Sequence, residues 1–200
     1  MRAVGLLCLL SFAAAAAEAA AQPERDPLFL EAQTWTVAPI TKPGWLLGGS
    51  AKASVGRFGL AVSGYQQALY GRAGTSTRMG ALVASMTAAF RLSGKILMGV
   101  SAGANTLFFE PDVASIAPSL GFFSRFDYHP MVSVQLQLDV AAWPHYRMDA
   151  VTEVRVHWRR AFLSLGMRLV HVEGPRRLGI PLGEATTIGV QVALGVDWSG

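Results

Sequence analysis

YRMDAVTEVRVHWRR, Tyr146 to Arg160, changes character at every other residue. Arg147, Asp149, Glu153, Arg155 and His157 occupy one set of positions, and Met148, Ala150, Val154, Val156 and Trp158 the other. Successive side chains of a β-strand point to opposite faces, so this is a strand with one ionic and one apolar face. The fold class turns on which of those faces meets water.

The same alternation runs through most of the chain. In MVSVQLQLDVAA, Val132, Val134, Leu136, Leu138 and Val140 oppose Ser133, Gln135, Gln137 and Asp139. In TTIGVQVALGVDW, Ile188, Val190, Val192, Leu194, Val196 and Trp198 oppose Thr187, Gly189, Gln191, Gly195 and Asp197. Candidate strands are 32–40, 45–54, 57–70, 78–91, 95–109, 114–128, 131–143, 147–159, 162–173 and 185–198. The first is interrupted by Pro39 and followed by Pro43, which favour an edge or a lead-in. The expected count is therefore about eight to ten, even numbers being usual for closed bacterial barrels. Short turns at Val55-Gly56, Leu92-Ser93-Gly94, Tyr128-His129-Pro130 and Arg160-Ala161 alternate with longer connections near 71–77, 110–113, 143–146 and 173–184.

Residues 1–21 read as a secretory signal peptide: a basic Arg2, an apolar run and small residues at Ala19-Ala20-Ala21. The one cysteine, Cys8, lies inside it, so the exported chain is expected to fold without disulfides. Residues 22–31 read as a polar lead-in and 32–200 as one domain. Hydrophobic residues make up 52% of the chain and charged ones 15%, yet no apolar run after the signal is long enough for a membrane-spanning helix. That combination fits either a soluble barrel with an oily interior or a membrane barrel with an oily exterior.

Two features select the second. On the apolar face, Phe58, Phe90, Phe126, Trp158 and Trp198 cluster near the short turns, and Tyr70, Phe108 and Tyr146 near the opposite ends. Two aromatic bands around an aliphatic middle form the girdles of a membrane barrel. On the polar face, Gly59, Ala61, Ser63, Ser85, Gly99, Ser101, Gly103, Ser119 and Gly121 are small, whereas a solvated surface would carry Lys and Glu. Long side chains from later strands would fill the tube across from them. The expected fold is all-β: a closed antiparallel up-and-down transmembrane β-barrel.

Charges enclosed in such a lumen must be paired, because an isolated buried charge is costly. A network of Glu153, Arg168, Arg155, Asp139, Gln137, Arg147 and Asp149 is expected, plugging and stiffening the barrel. An Arg160-Ala161 turn would set Glu153 opposite Arg168. A three-residue turn at Pro144 would set Gln137 opposite Glu153, with Asp139 diagonal to it. A narrow channel for small solutes or ions is the alternative use of the same lumen.

No catalytic residues, cofactor or metal site are assigned. The histidines lack HExxH spacing, and GxSxG, P-loop and dinucleotide patterns are absent. Asp149, Glu153 and His157 share a face, but steps of four residues along a strand span roughly 13 Å, beyond direct proton transfer. At the lipid-facing rim, His171 and Glu173 point outward, with Thr186 on the next strand. They read either as headgroup contacts or as a lipopolysaccharide-acting hydrolase. Arg176 and Arg177, in a chain of formal charge +4, are candidate contacts for lipopolysaccharide phosphates. Nucleic acid is not an expected partner, since the basic residues are dispersed among strands.

By its export signal, dyad alternation, girdles and a last strand closing near Trp198, residues 32–198 resemble the small outer-membrane β-barrel proteins of Gram-negative bacteria. That resemblance implies outer-membrane localisation, lipid and lipopolysaccharide as neighbours, and delivery by the barrel-insertion machinery. The class contains structural anchors, adhesins, narrow channels and lipid-modifying enzymes, so the fold leaves the role open. A soluble lipocalin-like binder is the remaining alternative.

Overall fold

A computed structural model describes residues 28–40, 44–70, 76–109, 113–173 and 185–199. The segment expected to be a signal peptide and the start of the expected lead-in lie outside these residues, as do Arg176 and Arg177. The strands are β1 (Leu28–Pro39), β2 (Gly44–Val55), β3 (Phe58–Tyr70), β4 (Ser76–Ser93), β5 (Ile96–Phe109), β6 (Val113–His129), β7 (Val132–Ala141), β8 (Tyr146–Trp158), β9 (Ala161–Glu173) and β10 (Ala185–Ser199). Each pairs antiparallel with its sequence neighbours, and β1 pairs with β10 to close the barrel. Closure leaves no unpaired sheet edge, the condition for crossing hydrocarbon with strands.

β1 begins at Leu28, four residues before the expected segment, because the alternation continues backward through LFLE. Residues 28–31 of the expected lead-in therefore belong to the barrel. Pro39 ends β1 instead of excluding it, and β1 is paired on both sides.

The aliphatic side chains face outward. Val154, Leu136 and Val192 are 45%, 42% and 43% exposed, while Glu153 and Arg155 are 2% and 0%. Period-two geometry does the rest: each strand that turns valine outward must turn its polar partners inward. The girdles are present at both ends. Phe58, Phe126, Tyr128, Trp158 and Trp198 are exposed at the short-turn end, and Trp45, Phe108 and Trp143 at the other. Phe90 and Tyr146 are half-buried, and the Tyr70 side chain lies outside the described residues. At the short-turn girdle the Arg160 guanidinium lies 3.9 Å above the Trp198 ring, a cation–aromatic contact suited to a headgroup boundary.

All four short turns sit one or two residues from their expected places. The pairs Val55↔Phe58 and Trp158↔Ala161 put Gly56-Arg57 and Arg159-Arg160 at the tips. Bulges between Arg91 and Ser93 and between Asp127 and His129 move the other two turns to Gly94-Lys95 and Pro130-Met131. Gly56 has φ 59°, a conformation glycine adopts without penalty; Arg159 has φ 56°, which crowds its Cβ against the following carbonyl. Arg159→Gly should therefore stabilise the folded barrel by about 1 kcal/mol, seen as a shift of the urea midpoint in refolding from detergent; a lowered midpoint would contradict the strain.

Candidate functional site

The lumen divides into two levels. Toward the end with the longer connections, Trp35, Val37, Leu46, Tyr65, Met79, Ala81, Leu107, Val170, Val172 and Ala193 form an apolar cluster inside the barrel. Leu46 and Leu107 are wholly buried. This cluster was not expected from the sequence.

The charged level lies against it, on β8, β9, β10 and β1. Asp149 is gripped by two guanidiniums. Arg168 donates to it through Nε (2.9 Å) and Nη2 (2.6 Å), and Arg147 donates from the other side. Arg168 Nη1 also donates to Gln191 Oε1 (3.2 Å), and Gln191 Nε2 donates to Glu153 Oε2 (3.0 Å). Glu153 takes further bonds from Ser164 Oγ (2.8 Å) and Arg155 Nε (2.7 Å). Arg155 then crosses to β1, donating to Glu31 Oε1 (3.0 Å) and Gln33 Oε1 (3.2 Å). One unbroken hydrogen-bonded ladder thus runs from Arg147 to Glu31. Aromatic rings back its cations: Arg168 lies 3.6 Å over Trp35, and Arg155 4.5 Å over Phe162. Both rings need glycine opposite them. A Cβ at Gly48 would come within 2.3 Å of the Trp35 ring, and one at Gly195 within 2.3 Å of Phe162.

Five of the seven expected lumenal residues, Glu153, Arg168, Arg155, Arg147 and Asp149, meet in this ladder, by a different register. Because the turn is Arg159-Arg160, Glu153 faces Gly166 and Arg168 faces Val151, so Arg168 reaches Asp149 diagonally. Likewise Gln135, not Gln137, faces Glu153. Gln137 donates to Asp139 (2.6 Å), and both line a cavity of about 100 Å³ with Lys52, Ser63, Ser85 and Ser101. The small-residue wall of the early strands leaves that space. Glu31, Gln33, Gln191, Ser164 and Trp35 are ladder members that sequence reasoning did not name; the continued alternation of LFLEAQTW was the available signal for the first two.

A second polar set lies nearer the longer connections. His145, between β7 and β8, reaches across to β5 and β6: Nε2 lies 2.8 Å from Asn105 Oδ1 and Nδ1 2.9 Å from Ser115 Oγ. The carbonyl acceptor assigns the proton to Nε2, so Nδ1 accepts from Ser115. All three are buried. Burial, and then the nearby Arg147 charge, hold the His145 pKa below its ordinary value. At the outer face of the same rim, His171 Nδ1 lies 2.9 Å from Thr186 Oγ1 and Nε2 3.5 Å from Glu173 Oε1. Among the described residues no cluster of His, Cys, Asp and Glu is grouped to hold a metal ion.

No known family profile matches the chain, and no curated protein matches it. Among solved structures it is similar to the outer membrane protein OprG from Pseudomonas aeruginosa, with a TM-score of 0.44 and 9% identity over 88% of this chain and 98% of that one. It is similar to the outer membrane protein Ail of Yersinia pestis in a nanodisc, with a TM-score of 0.44 and 8% identity over 86% and 100%. An anion-selective porin from Comamonas acidovorans gives 0.41 and 13% identity over 81% of this chain and 54% of the porin, so this chain spans about half that protein's length.

Two outcomes follow from the geometry. Asp149→Asn leaves two buried guanidiniums without their carboxylate and should destabilise the barrel by about 3–5 kcal/mol, more than Asp139→Asn, measured by urea unfolding. For His145, the unfolded chain binds its proton near pH 6.5 and the folded chain only at lower pH. Stability is then level above about 6.5 and falls as the pH drops below it. His145→Gln should flatten that part of the pH–stability curve.

Proposed function

We propose that this chain is an integral protein of a Gram-negative outer membrane whose barrel is closed to solutes and serves as a structural or surface-presenting element. The observation that carries this reading is the pairing of an aliphatic exterior with a lumen whose β8–β9–β10–β1 wall carries the Arg147-to-Glu31 ladder, beside the buried Leu46–Leu107 cluster. A conducting pore needs continuous polar, hydrated walls. The cavity of about 100 Å³ is lined by residues such as Glu31, Lys52, Gln137 and Asp139, and no residue of the apolar cluster lines it.

In this reading the tight turns face the periplasm and the longer connections the exterior. Arg176 and Arg177, in the connection between β9 and β10, then meet the lipopolysaccharide phosphates, and bilayer lipid contacts the aliphatic band. The narrow-channel alternative assigns the same cavity to a solute path. The two separate in planar bilayers: the purified barrel should insert yet give no steady conductance, and it should run at different positions on a gel with and without heating. Stepwise conductance that shifts with Glu153→Gln would replace the closed barrel with the channel.

A further inference from the structure

We propose that Thr186, His171 and Glu173 form an ester-cleaving site on the lipid-facing side of the outer rim, acting on acyl esters of the lipids that border it. This rests on the outer-membrane reading above and adds an activity to it. The outward face of β9 is otherwise aliphatic, with Leu163, Leu165, Met167 and Leu169 preceding His171 and Glu173. Ionisable residues within spanning segments are rare and are functional-site candidates.

Their arrangement is that of a nucleophile, a base and an orienting group. Thr186 is the direct cross-strand partner of His171, with Oγ1 at 2.9 Å from Nδ1. Glu173, two residues along the same face, lies 3.5 Å from Nε2. In the proposed tautomer the ring proton sits on Nε2, on the Glu173 side, so that Nδ1 accepts the threonine proton as a general base requires. Tyr146, opposite Glu173 on β8, packs edge-on to the imidazole at 5.6 Å between centroids and fixes its plane. A histidine that only touches headgroups needs neither a hydroxyl in register nor a carboxylate behind it. The interior Ser115–His145–Asn105 set has similar bonds but is buried within the lumen, where no lipid ester reaches it.

The chemistry balances without a further reagent. Thr186 Oγ1 bonds to the ester carbonyl carbon as its proton passes to His171 Nδ1. The ester C–O bond breaks, and the departing lipid alkoxide takes that proton. Water then attacks the threonyl ester, giving a proton to Nδ1; the fatty acid leaves and Thr186 Oγ1 recovers the proton.

The test uses the full exported chain, folded in detergent and checked by its heat-dependent gel shift. It is incubated separately with lipopolysaccharide micelles and with phosphatidylglycerol vesicles, and released fatty acid is measured; the arm that responds identifies the lipid. Thr186→Ala and His171→Ala should lower the rate by about 100-fold or more, whereas Thr186→Ser should retain activity. Glu173→Gln should lower the rate and shift its pH profile, and the interior Ser115→Ala should leave it unchanged. A folded barrel that releases no fatty acid in either arm, or a Thr186→Ala variant as fast as the parent, overturns the site and leaves the membrane reading intact. A chain that shows no heat-dependent shift and fractionates outside the membrane overturns both.

Discussion

The barrel depends on charges that have nowhere to go but inward. An exterior of leucine and valine excludes them, and the period of two then commits every ionic residue of β8 to the tube axis. An isolated ion enclosed there would be costly, so the carboxylates of β8 are paired at bonding distance. Asp149 between Arg168 and Arg147, and Glu153 between Arg155 and Gln191, are the outcome. Removing either carboxylate would leave cations stranded in a space that cannot solvate them.

The two walls of the lumen are fitted to this. Glycine, alanine and serine on the early strands admit the long side chains projected by the later ones, and Gly48 and Gly195 make room for the rings beneath Arg168 and Arg155. The charged ladder does not fill the barrel by itself. Toward the longer connections the packing turns apolar at Leu46, Met79 and Leu107, and polar groups there are held in specific pairs, such as Gln67 with Thr187 and His145 with Asn105. The interior thus passes from ionic to oily along its axis while its exterior stays aliphatic between aromatic bands.

Much of this was legible in the residues. Alternation in β7, β8 and β10 named the inward positions, and the aromatic bands told which face meets lipid. Register was not legible, since it hangs on where each turn falls. Arg159-Arg160 lacks glycine, and moving that turn by one residue carries Arg168 from Glu153 to Asp149. Glu31 was obscured for another reason: its strand leads into Trp-Thr-Val-Ala-Pro, where proline and an indistinct pattern resemble a connection. Contacts across the lumen, such as Arg147 to Tyr65 at 3.3 Å, join residues far apart in the chain, and no local pattern encodes them.

The seam between β1 and β10 has a consequence for how the chain can be written. Phe29 sits opposite Ser199, so the first and last strands begin and finish side by side at the same rim. A short peptide bridging them, with a new opening cut in one of the longer connections, would preserve every ladder bond. The architecture is therefore circular in kind, and its linear starting point is a convention of the gene more than a demand of the fold.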